Sequence, residues 1–286
     1  MSSIQSTIVR FMLRRMNIWN KPLDEVRSSM AAIKAGKSSG VVENVRQEIE
    51  GVPCEVFRPV KKKDSRGILY FHGGGFCMGI YNANREFASK LAETSGRDLY
   101  MPDYRLAPEN PYPAALDDAK AIYFGLTNNR TKADDIIIMA DSSGSTLTLS
   151  MLLQVKQEGK KMPVSLSFIT PVFDLAGKGE SFTTRAEKDP FNMRDPLWAA
   201  KIYLGNNDPL SPVFSPLYGD LEGLPPIKIH AADYDVFLSD ACRLAEKASQ
   251  AGVAVELTVW KEMWHTFHMQ APFVPEAVRA LKEICA

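Results

Sequence analysis

From Gly67 onward, short apolar runs alternate with stretches of helical periodicity, and this alternation restricts the fold more than any other feature. Gly67 to Phe71, Leu99 to Met101, Ile136 to Met139, Val164 to Ile169, Ile227 to Ile229 and Val253 to Trp260 read as strands. Helical patterns lie between them at Arg85 to Glu93, Leu116 to Leu126, Thr146 to Gln157 and Asp240 to Gln250. A last helix, Pro275 to Cys285, begins on proline, which suits a first helical turn. Strands joined by helices pair in parallel and are covered on both faces, so an α/β fold with a mostly parallel central sheet flanked by helices is expected. Ahead of these, Val42 to Glu50 and Cys54 to Val60 flank Gly51 as a starting hairpin.

One segment interrupts this rhythm. More than fifty residues separate Thr170 from Ile227, too many for a plain loop in a compact domain. The segment contains a helical stretch, Pro196 to Leu204, with Asp195 placed to cap it and Pro196 at its first position. We expect a single domain over residues 1–286, with a helical cap built from residues 1–45 and 175–215 over the sheet's C-terminal edge. Near the N-terminus, Ile4, Ile8, Met12 and Met16 recur every four residues, the spacing of one helix face, and a lid helix packed on its own domain is expected. Arginines break this apolar run short of a signal-peptide core, and no stretch approaches transmembrane length. These features predict a soluble, cytoplasmic protein without stable membrane insertion.

The composition, 45% hydrophobic and 24% charged over 286 residues, supports a substantial core. Lys+Arg and Asp+Glu both number 34, so no net field draws the chain toward nucleic acid or acidic membranes. The run Lys61-Lys62-Lys63 reads as a solvated turn between strands. Cys54, Cys77, Cys242 and Cys285 are scattered, with no C-x-x-C pair and no histidine at zinc-like spacing. Neither a disulfide framework nor a metal site is therefore expected. Cys77 lies beside a glycine-rich loop and reads as a buried small apolar residue.

Chemistry concentrates in three places. A buried strand runs into Asp141-Ser142-Ser143-Gly144, and a helix follows at once. Small residues at Ala140 and Gly144 flank Ser142, as a nucleophile elbow requires where the chain passes close to itself. Such a turn lifts the serine oxygen above the sheet at a helix N-terminus, which favours a developing anion. The second place is His72-Gly73-Gly74-Gly75-Phe76, directly after a strand, where successive glycines leave backbone N–H groups free to converge. Acyl transfer needs such donors for its oxyanion. Neither G-x-x-x-x-G-K-[ST] nor G-x-G-x-x-G spacing is present, which disfavours a phosphate cradle.

Serine needs a base, and the chain has four histidines, His72, His230, His265 and His268. His72 belongs to the glycine loop, His230 to core packing beside a strand, and His268 to the final helical region. His265, in the loop after the last strand, stands at the carboxyl edge of the sheet, where such folds place their sites. An ordinary imidazole near 6.5 is expected there. The orienting acid comes from Asp233, Asp235 or Asp240, all after the strand ending near Ile229. Asp240 suits the cap of the following helix, and Asp235, deepest in the loop, is preferred over Asp233.

Taken together, the chain resembles the hormone-sensitive lipase-like family of bacterial esterases, which has the α/β-hydrolase fold. The matching stretches are His72 to Phe76, Tyr104-Arg105-Leu106-Ala107-Pro108-Glu109, Tyr112 to Asp118, Asp141 to Gly144, Ser215 to Tyr218 and Trp264 to Phe267. The resemblance implies Ser142 as nucleophile, Asp235 as acid and His265 as base, with oxyanion donors from the backbone of Gly74, Gly75 and Ser143. It gives His72, Gly73, Asp141 and Gly144 supporting places around these groups, and makes Tyr104 to Glu109 a structural brace. Ala140, Ser143 and Ser145 replace three small residues of the family's usual Gly-Asp-Ser-Ala-Gly-Gly elbow, and Val236-Phe237 follows the acid where the family often has Pro-Leu. The implied activity is a carboxylesterase acting through an acyl-enzyme on short-chain acyl esters, with no metal or organic cofactor. Its partner is a small-molecule ester, and the resemblance suggests a homodimer through the last strand. Amidase or deacetylase activity on arylamides or acetylated sugars is the alternative in the same class; a non-catalytic receptor on this scaffold typically lacks the histidine. Trp19, Phe182, Phe191, Trp198 and Tyr203 are candidates to line an apolar substrate pocket.

Overall fold

The structure is a computed structural model, and it describes residues 2–34, 40–129, 135–191 and 193–286. Residues 35–39 and Asn192, both within the expected cap, lie outside the described residues. The strands are β1 (Val42–Ile49), β2 (Val52–Pro59), β3 (Gly67–Phe71), β4 (Leu99–Pro102), β5 (Ile136–Asp141), β6 (Ser165–Ile169), β7 (Ile227–Ala232) and β8 (Val255–Trp260). They form one eight-stranded sheet in the order β1-β2-β4-β3-β5-β6-β7-β8. β1 to β2 and β2 to β4 are antiparallel, and every later pairing is parallel. The hairpin turn is Glu50-Gly51, whose φ values of 50° and 78° are the paired positive angles of a tight turn matched to strand twist.

The helices α3 (Asn82–Ser95), α4 (Ala114–Asn129), α5 (Ser143–Gln157), α8 (Leu238–Gln250) and α9 (Pro275–Cys285) follow strands and cover the sheet. Strand periodicity splits the core between the two faces. Ile68, Tyr70, Ile137 and Met139 point to the side closed by Phe87 and Leu91 of α3 and Leu281 and Ile284 of α9. Leu69, Phe71, Ile136 and Ile138 point to the other side, closed by Ile122 of α4, Leu147 of α5 and Leu244 of α8. Gly96 ends α3 in the left-handed region, its N–H on the carbonyl of Ala92.

The remaining helices sit apart from this layering. α1 (Ile4–Met16) and α2 (Leu23–Ala31) precede the sheet, and two short helices, α6 (Ser181–Thr184) and α7 (Trp198–Leu204), lie between β6 and β7. Three expectations change here. Residues 42–45 belong to β1, so the N-terminal non-sheet segment ends before Val42. α7 starts at Trp198, because the Asp195 carboxylate takes the N–H of Leu197 and holds Pro196 and Leu197 in a turn ahead of the helix. In α1, Ile4, Ile8, Met12 and Met16 face solvent, while Val9 and Leu13 pack on the domain. Periodicity identifies an amphipathic helix but not which neighbour its face meets.

α2 buries Val26 in the core, and Arg27 ties it to the loops beneath. Arg27 donates to the carbonyls of Cys77 (2.8 Å) and Ala107 (2.9 Å) and forms a forked pair with Glu109 at 2.5 and 3.0 Å. Arg27→Ala should leave two loop carbonyls without this donor and cost the attachment of α1 and α2 about 1–3 kcal/mol. Limited proteolysis checks this: cleavage within the first forty-one residues should precede loss of the sheet's circular dichroism. Cleavage no faster than in the wild type would show that the anchor lies elsewhere.

Candidate active site

Ser142 stands between the end of β5 and the start of α5, at φ 50° and ψ −127°. That backbone region is costly for a residue with a side chain, at roughly 1–3 kcal/mol. The surrounding chain imposes it. α5 starts so close to β3 that a Cβ on Gly144 would strike the carbonyl oxygens of Phe71 and His72. The Ser142 N–H donates to Ile169 (3.1 Å), and its carbonyl accepts from Ser145 (3.0 Å) and Val172 (3.3 Å). Ala140 is fully buried where the family usually has glycine, and the turn forms with the added methyl.

His265, in the turn after β8, places Nε2 2.8 Å from Ser142 Oγ and Nδ1 2.9 Å from Asp235 Oδ2. A buried carboxylate at Nδ1 makes that nitrogen the donor, leaving Nε2 to accept the serine proton. Asp235, in the turn after β7, also takes the N–H of Phe237 at 2.9 Å. Burial pulls the His265 imidazole down, but the charge and hydrogen bond of Asp235, with Asp189 and Asp141 adding to them, leave it above 6.5. The ordinary value expected from sequence is therefore corrected upward. Asp233 stands elsewhere, 3.5 Å from Arg185. Asp240 is not a helix cap, since α8 begins at Leu238. Its fully buried carboxylate takes the N–H groups of Phe173 (2.8 Å) and Asp174 (2.9 Å), and burial pushes it up to about 7.

The glycine loop is laid against the same serine. Asp141 accepts from Gly73 N–H at 2.9 Å and from the Tyr70 hydroxyl at 2.5 Å. His72, stacked on Tyr104, has Nδ1 2.8 Å from the Gly73 carbonyl, so Nδ1 carries the proton. Burial lowers this imidazole to about 4, which keeps it neutral and structural. Gly75 has φ 61°, and a Cβ there would meet that of Ala199 at 2.5 Å. Among the described residues no acceptor takes the N–H of Gly74 or Ser143, whereas the N–H of Gly75 donates to Ser143 Oγ at 2.8 Å. Glu109 stands away from this cluster, on Arg27. Cys77 is a buried thiol, pushed by burial up to about 12.

Ser142, His265 and the three glycines open on a cavity of about 250 Å³ whose walls are mostly apolar. Trp19, Phe191 and Trp198 line it, as expected. Phe182 and Tyr203 do not: the first packs edge-on to Phe237, the second stacks on Phe76 at 4.1 Å. One residue escaped sequence reasoning altogether. Asp189, 1% exposed, accepts from the N–H groups of Phe191 (2.9 Å) and Val236 (3.4 Å) beside the acid loop. Burial and then the charge of Asp235 push its carboxyl up. An aspartate before Pro190 reads as a turn, and no local pattern marks it as buried. Among the described residues no group of three or more His, Cys, Asp or Glu side chains is placed to hold a metal ion.

The sequence pattern of the family described as alpha/beta hydrolase fold matches residues 68–269. A hormone-sensitive lipase from a metagenome library superposes with a TM-score of 0.91 at 37% identity, over 100% of this chain and 98% of its own. The chain belongs to the hormone-sensitive lipase-like α/β-hydrolases. This hydrolase is also 35% identical to an esterase of Acinetobacter venetianus, over 81% of each chain. It is 35% identical to an acetyl-hydrolase of Streptomyces hygroscopicus, over 80% of this chain and 77% of the relative.

An NMR titration of the His265 ring tests the site's electrostatics. We expect a pKa above 6.5 in the wild type. Asp235→Asn removes the charge and leaves burial dominant, so the value should fall below 6.5. A value that does not move on this substitution would reject Asp235 as its cause.

Proposed function

We propose that this hydrolase cleaves carboxylic esters of small acids, with Ser142 as nucleophile, His265 as base and Asp235 as the orienting acid. The carrying observation is the continuous chain of hydrogen bonds from Asp235 through His265 to Ser142, opening on an apolar cavity. In acylation, Ser142 Oγ bonds to the ester carbonyl carbon while its proton passes to His265 Nε2. The tetrahedral oxyanion is held by the N–H groups of Gly74 and Ser143, joined by Gly75 once it exchanges the Ser143 hydroxyl for the oxyanion. His265 then gives its proton to the departing alcohol oxygen as the C–O bond breaks. Water repeats the sequence on the acyl-enzyme, losing a proton to His265 and releasing the acid and free Ser142. Asp235 stabilises the imidazolium at each stage.

The preference for small acyl groups rests on the confined cavity and its aromatic walls, and on the acetyl-hydrolase among the relatives. In this reading residues 1–41 and 175–215 form the cap of a single domain, since both segments line the cavity. β8 ends the sheet with Leu257 and Val259 partly exposed, which supports a homodimer through that edge. A cytoplasmic location completes the reading, with no nucleic acid as partner.

Hydrolysis of p-nitrophenyl esters from acetate to palmitate is the test. Short chains should turn over fastest, and Ser142→Ala should lower kcat by at least about a thousandfold. No turnover of any ester by the folded wild type would reject the reading in favour of arylamides, acetylated sugars or a non-catalytic receptor.

The imidazolium cannot accept the serine proton, so kcat/KM should fall about tenfold per unit as pH drops below the raised pKa of His265. A profile flat down to pH 5 would exclude His265 as base. Ser143→Ala removes the acceptor that now holds Gly75 N–H, a hydrogen bond of about 1 kcal/mol, and should raise kcat about fivefold. A fall in kcat would show instead that the Ser143 hydroxyl takes part in holding the oxyanion.

A further inference from the structure

α1 turns its more apolar side away from the protein. Ile4 is 78% exposed, Ile8 53%, Phe11 56%, Met12 60% and Met16 49%. At 100° per residue these five fall within one face of the helix, together with Arg15, whose guanidinium lies 4.3 Å above the Phe11 ring. The opposite side attaches the helix, through Val9 and Leu13 against the core and the buried Ser6. A large, contiguous exposed apolar patch is uncommon on a monomeric soluble protein and marks an interaction surface.

The charges on α1 say what fits it. The balanced whole-chain charge conceals a local excess, for α1 contains Arg10, Arg14 and Arg15 and no acidic residue. Arg15 stands within the apolar face and Arg14, which reaches the backbone of Glu187, stands on one flank, both exposed, whereas Arg10 lies on the opposite, protein-facing side, over Tyr234 and on the carbonyl of Glu262. The acids packed against the helix start, Glu262 and Glu276, are occupied on the protein side by Ser2 and Ser3. An exposed apolar stripe that carries Arg15, with Arg14 on its flank, is complementary to an anionic lipid surface, where such a helix lies in the interfacial plane. A second copy fits poorly, because pairing these faces brings Arg15 against Arg15. The stripe also runs on into the cavity: Met16 and Ile33, themselves 49% and 38% exposed, line the pocket that holds Ser142.

We propose that α1 docks this protein on anionic lipid surfaces, with the mouth of the Ser142 cavity held at the lipid boundary. Docking itself does not depend on the ester-hydrolase reading; its use, the delivery of lipid-dissolved esters to Ser142, does.

Cosedimentation with vesicles of phosphatidylglycerol and phosphatidylcholine in equal amounts, against phosphatidylcholine alone, tests the docking. Each arginine near an anionic surface contributes about 1 kcal/mol, so partition should be at least about tenfold stronger on the mixed vesicles. Ile8→Glu with Phe11→Glu should weaken it at least about tenfold, and Arg15→Glu by about fivefold or more. These side chains are exposed and lie outside the cavity wall, and an unchanged circular dichroism melt shows that the fold survives. Ser142→Ala must pellet as the wild type does, which keeps a failure of the ester reading apart from a failure of docking. No partition, equal partition to both vesicle types, or partition that survives Ile8→Glu with Phe11→Glu would overturn the proposal. So would a two-chain mass in light scattering that the same double substitution reduces to one, which would assign the face to a second copy.

Discussion

The close approach of α5 to the end of β3 decides where every reacting group stands. With no side chain on Gly144, the helix start presses against the carbonyls of Phe71 and His72. The chain between β5 and α5 then has no relaxed route, and Ser142 is driven into positive φ. The conformational cost falls on one residue, while the hydrogen bonds that hold it come from the end of β6, the first turn of α5 and the loop after β6. Next to it, the Asp141 carboxylate binds the Gly73 N–H, so the same turn that raises the nucleophile also sets the height of the glycine loop. Ser142 and the glycine loop thus share one buried support, and their spacing cannot drift independently.

The fold and the reacting groups were legible in the sequence because local chemistry over-determines them. Apolar runs such as Ile136 to Met139 read as buried strands, and a serine and a histidine just past the carboxyl ends of β5 and β8 stand where such sheets place their sites. What was not legible depends on which surfaces meet. Asp240 occupies the first turn of α8 and looks like a cap, yet its carboxylate serves two N–H groups of a loop sixty-six or more positions away in sequence. Asp189 looks like a turn residue before proline and is almost wholly buried. The Ser143 hydroxyl, a small change from the family's alanine, captures a backbone donor in a way no spacing rule reveals. In α1 the heptad-like recurrence of Ile4, Ile8, Met12 and Met16 is real, but its orientation is set by what Val9, Leu13 and Ser6 find beneath them.

Four buried carboxyls lie in the loops at the carboxyl edge of the sheet and the start of α8. Asp141, Asp189, Asp235 and Asp240 are each 1% exposed or less, and backbone N–H groups reach every one of them. Burial raises the proton affinity of Asp141, Asp189 and Asp240. Asp235 differs in facing His265 directly, so its charge is matched by the imidazolium that forms during turnover.

The β6–β7 segment and helix α2 over the cavity are tied to different halves of the site. The segment between β6 and β7 is bound to the acid loop: Asp189 takes the Val236 N–H, and Ser181 exchanges hydrogen bonds with Ser239 and donates to the Val236 carbonyl at 2.6 Å. Phe191, two residues beyond Asp189, sets its ring edge against His265. Helix α2 is bound to the opposite half, where Arg27 holds the carbonyl of Cys77 just past the glycine loop, while α1 reaches the loops of Asp235 and His265 through Ser2 and Arg10 on Glu262 and Arg10 over Tyr234. A displacement of α2 is therefore transmitted first to the glycine loop, and a displacement of α1 or of the β6–β7 segment to the loops of Asp235 and His265. Substrate contacts made by either segment can alter one half of the catalytic geometry while the other keeps its own anchors in the sheet.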